Sequence, residues 1–346
     1  MVDFGFEVFY LCTAPGEADR ETRPMPPAVT RIPWTLSQEG WPWRKAIKEM
    51  KQVLARVQPD LVHAGPIQDG AFLAAKAGFE PLVSMSWGSD LLQRAQSGLD
   101  RWKARKTLKR SAAFICDCRV VAQVAHTLGA VPERMVIFPW GVDLAHFSPS
   151  GVKDSRHPRG AEDSLHLLST RSWEPVYGIQ VLLEGFAILA QRMPDLHLTM
   201  LGDGSQRTYV HDFITRHDLQ ERIQLAGQVD FIDLPAIYRA ADIYVSTSRS
   251  DGSSVSLLEA MACGLPALVS DIPGNREWVE AGVNGWLFKN GDPSAFADAL
   301  QVVSRKRTEL PGMGAAGRSI VEHRADWSRN RVKILDAYQI AMQGVD

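Results

Sequence analysis

Asp251-Gly252-Ser253-Ser254-Val255-Ser256-Leu257-Leu258-Glu259-Ala260-Met261-Ala262-Cys263-Gly264-Leu265-Pro266 is the stretch that decides how this chain reads. A polar loop containing glycine runs into a short helix. A Gly-Leu-Pro break then precedes the apolar strand Ala267-Leu268-Val269-Ser270. The first N–H groups of a helix have no partner within it and carry partial positive charge, so they suit a phosphate. An ionised carboxylate only accepts hydrogen bonds, so Glu259, inside the same helix, suits sugar hydroxyls. One element therefore offers a diphosphate cradle and a hydroxyl reader, the two demands of a nucleotide-sugar. The plainer alternative is an ordinary helix start with Glu259 as a solvated charge.

Outward from this junction, apolar runs of strand length alternate with helical patterns. Strand signals fall at residues 165–170, 196–201, 222–225, 242–246 and 267–270, and helical ones at 179–192, 207–217, 234–241, 255–262 and 293–304. A polar stretch at 148–163, rich in Pro, Gly and charge, reads as a linker. Before it, strands at 6–13, 60–64, 81–85, 113–117 and 135–138 alternate with helices at 44–57, 70–77 and 120–128. Alternation of this kind predicts α/β architecture with parallel sheets, here two doubly wound, Rossmann-like domains facing a cleft. Ligands in such sheets sit beyond the carboxyl ends of the strands.

A chain of 346 residues is long for one core and comfortable for two. A net charge of −2 argues against a nucleic-acid partner held by overall charge. No apolar run has the length of a membrane span and the start does not read as a secretion signal, so a cytoplasmic protein is the expectation. The cysteines are Cys12, Cys116, Cys118 and Cys263. Cys116-Asp117-Cys118 has no second pair at zinc-site spacing, so we read reduced thiols, mostly buried, and no metal site.

The quoted segment resembles the signature of the retaining GT-B glycosyltransferases of the family-4 group, a Glu, seven residues, then Glu-Ala-Met-Ala-x-Gly-x-Pro. The run from Glu259 to Pro266 matches its second half, and Asp251, one methylene shorter, replaces its first Glu. Leu201-Gly202-Asp203-Gly204 resembles the family's strand-end glycine turn. Gly274-Asn275-Arg276-Glu277 and Asn284-Gly285-Trp286-Leu287-Phe288 resemble the family's segments C-terminal to the signature. The likeness covers roughly residues 55–345 and is more specific in the C-terminal half. It implies a GT-B fold with an acceptor domain over 1–150, a nucleotide-sugar domain over 151–325 and a helix within 326–346, at about 327–342, packing back across the junction. Family members open with a strand and a Gly-rich turn that residues 1–13 lack, so the N-terminal domain is expected to be incomplete at its start.

The resemblance further implies a metal-independent transferase, with no cofactor, that uses a UDP-sugar or GDP-sugar and a saccharide or lipid-linked acceptor. It carries Arg171, Asp251 and Glu259 over as catalytic residues. Gly202, Gly204, Gln228, Val229, Gly252, Ser253, Ser254, Val255, Leu258 and Tyr177 are carried over as donor-binding. The guanidinium fork of Arg171 suits a diphosphate; the alternative is a surface salt bridge. Asp251 reads donor-sugar hydroxyls in this resemblance, against a plain Asp-Gly turn. Tyr177 stands where relatives usually carry Lys, so one cation is missing unless Arg249 or Arg276 supplies it.

On the acceptor side stand Trp87, where many relatives have His, Asp90 and His63. Trp87 either stacks on a sugar or fills a wall. Asp90 either caps the next helix or contacts the acceptor. His63 ends a strand directed at the cleft and is either a packed residue or a catalyst. The run from Arg101 to Arg110 is basic with apolar residues interleaved; it is either a solvated helix face or a dock for anionic lipid on the inner membrane surface. The rival functions are a non-catalytic nucleotide-sugar-binding partner subunit and a GT-B nucleotide-sugar epimerase.

Overall fold

The computed structural model describes residues 1–12, 26–34, 42–151 and 164–343. Strands in chain order are β1 Val8–Cys12, β2 Val29–Pro33, β3 Val62–Ala64, β4 Leu82–Met85, β5 Ala113–Cys116, β6 Met135–Ile137, β7 Leu165–Ser169, β8 Leu196–Leu201, β9 Ile223–Gly227, β10 Ile243–Ser246, β11 Ala267–Ser270 and β12 Gly285–Phe288. Between the N-terminal strands lie α1 Pro42–Val57, α2 Gly70–Ala77, α3 Ser89–Leu92, α4 Gly98–Arg110 and α5 Arg119–Thr127. The second half contains α6 Ile179–Ala190, α7 Arg207–Arg216, α8 Leu234–Ala240, α9 Val255–Ala262, α10 Pro273–Arg276, α11 Pro293–Arg305, α12 Leu310–Arg324, α13 Trp327–Asn330 and α14 Lys333–Met342.

The second half is one six-stranded parallel sheet in the order β12-β11-β10-β7-β8-β9. Its inner strands β7, β10 and β11 are buried on both faces, and side chains divide with period two. Leu165, Leu167, Ile243, Val245 and Leu268 join α6, α7 and α11 in one core. Leu168, Tyr244, Ala267 and Val269 join α8, α9 and α12 in the other. The chain winds outward from β7 in both directions, so the crevice lies at the carboxyl ends of β7 and β10.

The first half holds a four-stranded parallel sheet, β3-β4-β5-β6. Phe114 and Cys116 of β5 face α4 and α5. Ala113 and Ile115 face the other way, where α14 closes the core with Ala337 and Ala341. The last helix thus returns to cover the first sheet, although it is split: α13 and α14 replace the single helix expected at 327–342. The expected linker lies mostly outside the described residues, which break off at Gly151 and resume at Ser164.

β1 and β2 pair in parallel only with each other. Among the described residues no strand joins them to β3. They are tied to the domain through Leu11, Trp34 and the apolar faces of α1 and α2. Phe6, Phe9 and Tyr10 are all exposed there. A two-stranded pair is marginal by itself, whereas β10 and β11 are interior strands. Hydrogen exchange should therefore open Phe9 and Leu11 well before Tyr244 and Leu268. Equal, strong protection of both pairs in a monomer would show that β1 and β2 are held as firmly as the central sheet.

Candidate functional site

Arg171 follows β7 at the crevice and has only 11% of its side chain exposed. One terminal nitrogen, Nη1, donates to Ser254 Oγ at 2.8 Å and to Ser256 Oγ at 3.0 Å. The other, Nη2, lies 2.8 Å from Asp251 Oδ2. The guanidinium plane rests over the Tyr177 ring, 3.9 Å from its centroid. Tyr177 therefore contributes a stacking surface for the cation next to it. Of the two substitutes considered for the missing cation, Arg276 pairs with Asp271 at 2.7 Å, and Arg249 is exposed.

The loop that supplies these partners is built as its sequence suggests. Asp251 Oδ1 accepts the Gly252 N–H at 3.0 Å, and Ser254 stands at the N-cap position of α9. Burial pushes the Asp251 carboxyl above its ordinary range, against the pull of Arg171 and the Gly252 N–H. Glu259 is 8% exposed, and its Oε2 accepts from the Tyr238 hydroxyl at 3.0 Å. Thr170 Oγ1 lies 3.0 Å from the same hydroxyl, so the β7 end and α9 are joined through Tyr238. Val255 is exposed at the first turn of α9. The Leu258 side chain is fully buried in the core behind α9, because it leaves the helix on the sheet side.

The remaining donor-side positions gather at the same end. Gly202 turns the chain after β8 with φ +89°, and its N–H donates to Gly227 O at the end of β9. Gly204 packs on the backbone of Trp173. Gln228 and Val229 come directly after β9, Gln228 exposed and Val229 partly packed in the second core.

Across the crevice stands Asp117, a residue that sequence reasoning passed over. Its Oδ2 accepts the Ser253 N–H at 2.7 Å, and its backbone carbonyl accepts from Ser253 Oγ at 2.9 Å. A Cβ on Gly252 would collide with the Asp117 carboxylate, so only glycine lets the two loops meet this closely. Glu277 reinforces the contact by accepting the N–H groups of Arg119 and Val120 at 3.3 and 3.2 Å, at the start of α5. The Ser253 N–H, expected at the donor, is thus committed to the opposite domain. The only available signal was an aspartate at the end of a strand in an α/β chain.

The acceptor-side candidates separate. Trp87 is 59% exposed, on the turn whose Gly88 abuts the Gly252 backbone. Asp90 is buried, and its side chain does not cap α3. Its Oδ2 accepts from Ile67 N–H, and its Oδ1 from Ser86 Oγ, Trp87 N–H and Leu91 N–H, which fixes the turns after β3 and β4. His63 takes the packed, hydrogen-bonded alternative: it lies on β3 against α14, with Nδ1 3.0 Å from the Tyr338 hydroxyl. Burial pushes it down to about 4, so it is neutral at pH 7. The thiols of Cys116, Cys118 and Cys263 are free and buried; the Cys12 side chain lies outside the described residues.

A cavity of about 610 Å³ lies elsewhere. It opens by Leu165, Asp242 and Pro266, at the amino ends of β7, β10 and β11. The cluster of charge, hydroxyls and helix start is at the opposite, carboxyl end, and we assign the site on that chemistry.

Two family models divide the chain. One described as Glycosyltransferase Family 4 matches residues 1–146, and one described as Glycosyl transferases group 1 matches residues 153–320. A D-inositol 3-phosphate glycosyltransferase of Pseudarthrobacter chlorophenolicus is 30% identical over 226 residues, 64% of this chain and 54% of the relative. The chain thus spans about half the length of that relative. Among solved structures, HepE of Anabaena in complex with UDP and glucose superposes with a TM-score of 0.78 at 21% identity, covering 90% of this chain and 86% of that one. Sucrose-phosphate synthase of Thermosynechococcus elongatus superposes at 0.83 and 18% identity, covering 99% and 91%. These likenesses establish the two-domain GT-B fold.

Burial pushes the Asp117 carboxyl up to about 6 from its ordinary 3.8, against the pull of the Ser253 N–H. A raised folded-state pKa means that the buried setting of Asp117 favours the neutral acid. Its contribution is complete below about 3.8 and is lost as pH rises through about 6. Asp117→Asn keeps the shape without the titration. Urea denaturation should show the variant gaining on the parent by about 2–3 kcal/mol between pH 4 and pH 7. A difference that does not change with pH would mean that Asp117 ionises there at no cost.

Proposed function

The chain belongs to the group 1 glycosyltransferases of the family-4 type, and from that premise we propose that it moves a sugar from a nucleoside-diphosphate sugar to a hydroxyl of a saccharide or lipid-linked acceptor, with retained anomeric configuration and without a metal. The observation that carries this reading is a buried arginine at the switch point of the second sheet, seated on the serines that begin α9. The donor diphosphate lies against Arg171 and the N–H groups at the start of that helix. Charge grows on the diphosphate as its bond to the anomeric carbon breaks, and these fixed donors stabilise it. The acceptor hydroxyl attacks the same carbon from the face the diphosphate is leaving and passes its proton to a diphosphate oxygen. Glu259, oriented by Tyr238, takes the ribose hydroxyls of a UDP- or GDP-sugar. Trp87, at the mouth of the crevice, offers a ring face to the acceptor.

A thermal-shift screen of UDP- and GDP-sugars finds the donor, because a ligand that binds the folded state raises the midpoint. Acceptor-dependent release of nucleoside diphosphate then identifies a transferase. Tight binding without turnover would identify the non-catalytic partner, and isomerisation of the sugar without release the epimerase. Glu259→Ala should weaken donor binding by about 1.5–3 kcal/mol, and Arg171→Lys should be costly despite keeping its charge, because the fork is lost. Calorimetry showing parental affinity in both variants would place the donor elsewhere.

The acceptor side carries a basic surface. α4 exposes Arg105, Lys106, Lys109 and Arg110 beside Trp102, and α1, packed in the same layer through α2, exposes Lys45, Lys48 and Lys51. Among the described residues no helix is long and apolar enough to cross a membrane. The surface fits peripheral attachment to anionic lipid on the inner face of the membrane, each basic residue adding up to about 1 kcal/mol, and a role in surface polysaccharide or glycolipid synthesis. Sedimentation with phosphatidylglycerol vesicles should exceed that with phosphatidylcholine, fall with salt and drop in Lys106→Glu/Lys109→Glu. Equal binding to both lipids would leave these helices as a solvated face.

A further inference from the structure

The hydrogen bonding around Arg171 is unfinished in a specific way. A guanidinium carries five N–H donors. Nη1 spends its two on Ser254 and Ser256. The Nε–H is buried without a partner. Asp251 Oδ2 stands 2.8 Å from Nη2 as an ion pair, yet it too makes no hydrogen bond. The two groups thus neutralise each other by charge while each keeps unsatisfied bonding capacity. Such a pair is weakly held: in a buried setting, attraction offsets desolvation only when the hydrogen bonds are also made. The serines and the Tyr177 ring position Arg171 independently of Asp251. Asp251, in turn, keeps its Oδ1 bond to the Gly252 N–H without Arg171.

We propose that Asp251 is an internal counter-ion that the donor diphosphate displaces from Arg171, so that it sets the affinity for the diphosphate half of the donor and does not read the sugar. This rests on the nucleoside-diphosphate-sugar reading of the same site. A diphosphate supplies in-line acceptors for Nη2–H and Nε–H that the carboxylate does not. It is also repelled by that carboxylate while Asp251 stays ionised and in place. The pair thereby keeps a buried cation neutralised until the donor arrives, at the cost of competing with the site's own ligand. Displacement needs only rotation of a short side chain at the edge of the crevice, where Asp251 is 18% exposed. The raised position of its carboxyl above the ordinary range eases the same exchange, since a proton taken up there releases Arg171.

The test compares nucleoside diphosphate with nucleoside-diphosphate sugar by calorimetry, using UDP with UDP-glucose and GDP with GDP-mannose, on the parent and on Asp251→Asn. The expected result is that both members of the pair bind several-fold more tightly to the variant, with the ratio between them unchanged. A variant that binds the diphosphate as before but loses the extra affinity due to the sugar would make Asp251 a sugar reader and overturn the proposal. Equal weakening of both ligands in a folded variant would overturn it as well, because Asp251 would then position Arg171 rather than compete for it. If Asp251→Asn alone fails to fold, Arg171→Gln/Asp251→Asn removes both charges together. Compared with Arg171→Gln, it should bind the sugar nucleotide equally, and a further loss would refute the counter-ion role. A parent that binds neither pair contradicts the proposed function itself, a result distinct from failure of this inference alone.

Discussion

A guanidinium buried at the meeting point of two half-sheets is the constraint around which the second domain is arranged. An isolated charge of that kind would be prohibitively costly away from water. Arg171 is tolerated because the loop from Asp251 to Ser256 wraps it with a carboxylate and two hydroxyls, and because Tyr177 covers its face. Those hydroxyls are themselves fixed: Ser256 Oγ lies 2.9 Å from the Tyr244 hydroxyl and 3.1 Å from Ser254 Oγ. Tyr244 belongs to β10, so the interior of the sheet reaches the site through one hydrogen bond. The chemistry at the crevice is thus an extension of core packing.

The same loop also closes the space between the domains. Ser253 gives its N–H and its hydroxyl to Asp117, while the Trp278 indole donates to Ser253 Oγ at 3.1 Å from behind. The first domain is held at the far end as well, where α14 fills one face of its sheet. A ligand between the domains must therefore accommodate a donor loop already braced by the opposite sheet. Asp117 and Arg171 are joined through that loop, because both contact residues 251–254.

Most of this architecture was legible in the sequence. Alternating strands and helices identified the parallel sheets, and the run from Asp251 to Pro266 identified the loop, the helix α9 and the turn into β11. Boundaries at β8, β11, α2 and α9 agree with the expected ones because apolar runs there end sharply at Gly, Pro or charge. What escaped was non-local or locally contradictory. α12 carries Gly312, Gly314 and Gly317, which argue against a helix by propensity. Yet a Cβ at Gly314 would collide with the Gly264 carbonyl, so tertiary contact selects the residue that propensity disfavours. β2 ends on a proline, which suits an edge strand but weakens its signal. The Asp117–Ser253 contact joins positions too far apart for any local pattern to connect. His63 lies on the strand expected, and its packed alternative is the one observed, but its partner Tyr338 is too distant in sequence to foresee.

The donor is proposed to sit at the carboxyl ends of β7 and β10, whereas a cavity of about 610 Å³ lies at their amino ends. A crystal structure of the protein grown with the nucleoside-diphosphate sugar that raises its melting temperature most tests this directly. Density for the diphosphate within hydrogen-bond distance of Arg171 and the first turn of α9, with the ribose beside Glu259, is the predicted result. A nucleotide bound instead among Leu165, Cys263 and Arg318, with Arg171 still paired to Asp251, would contradict the account.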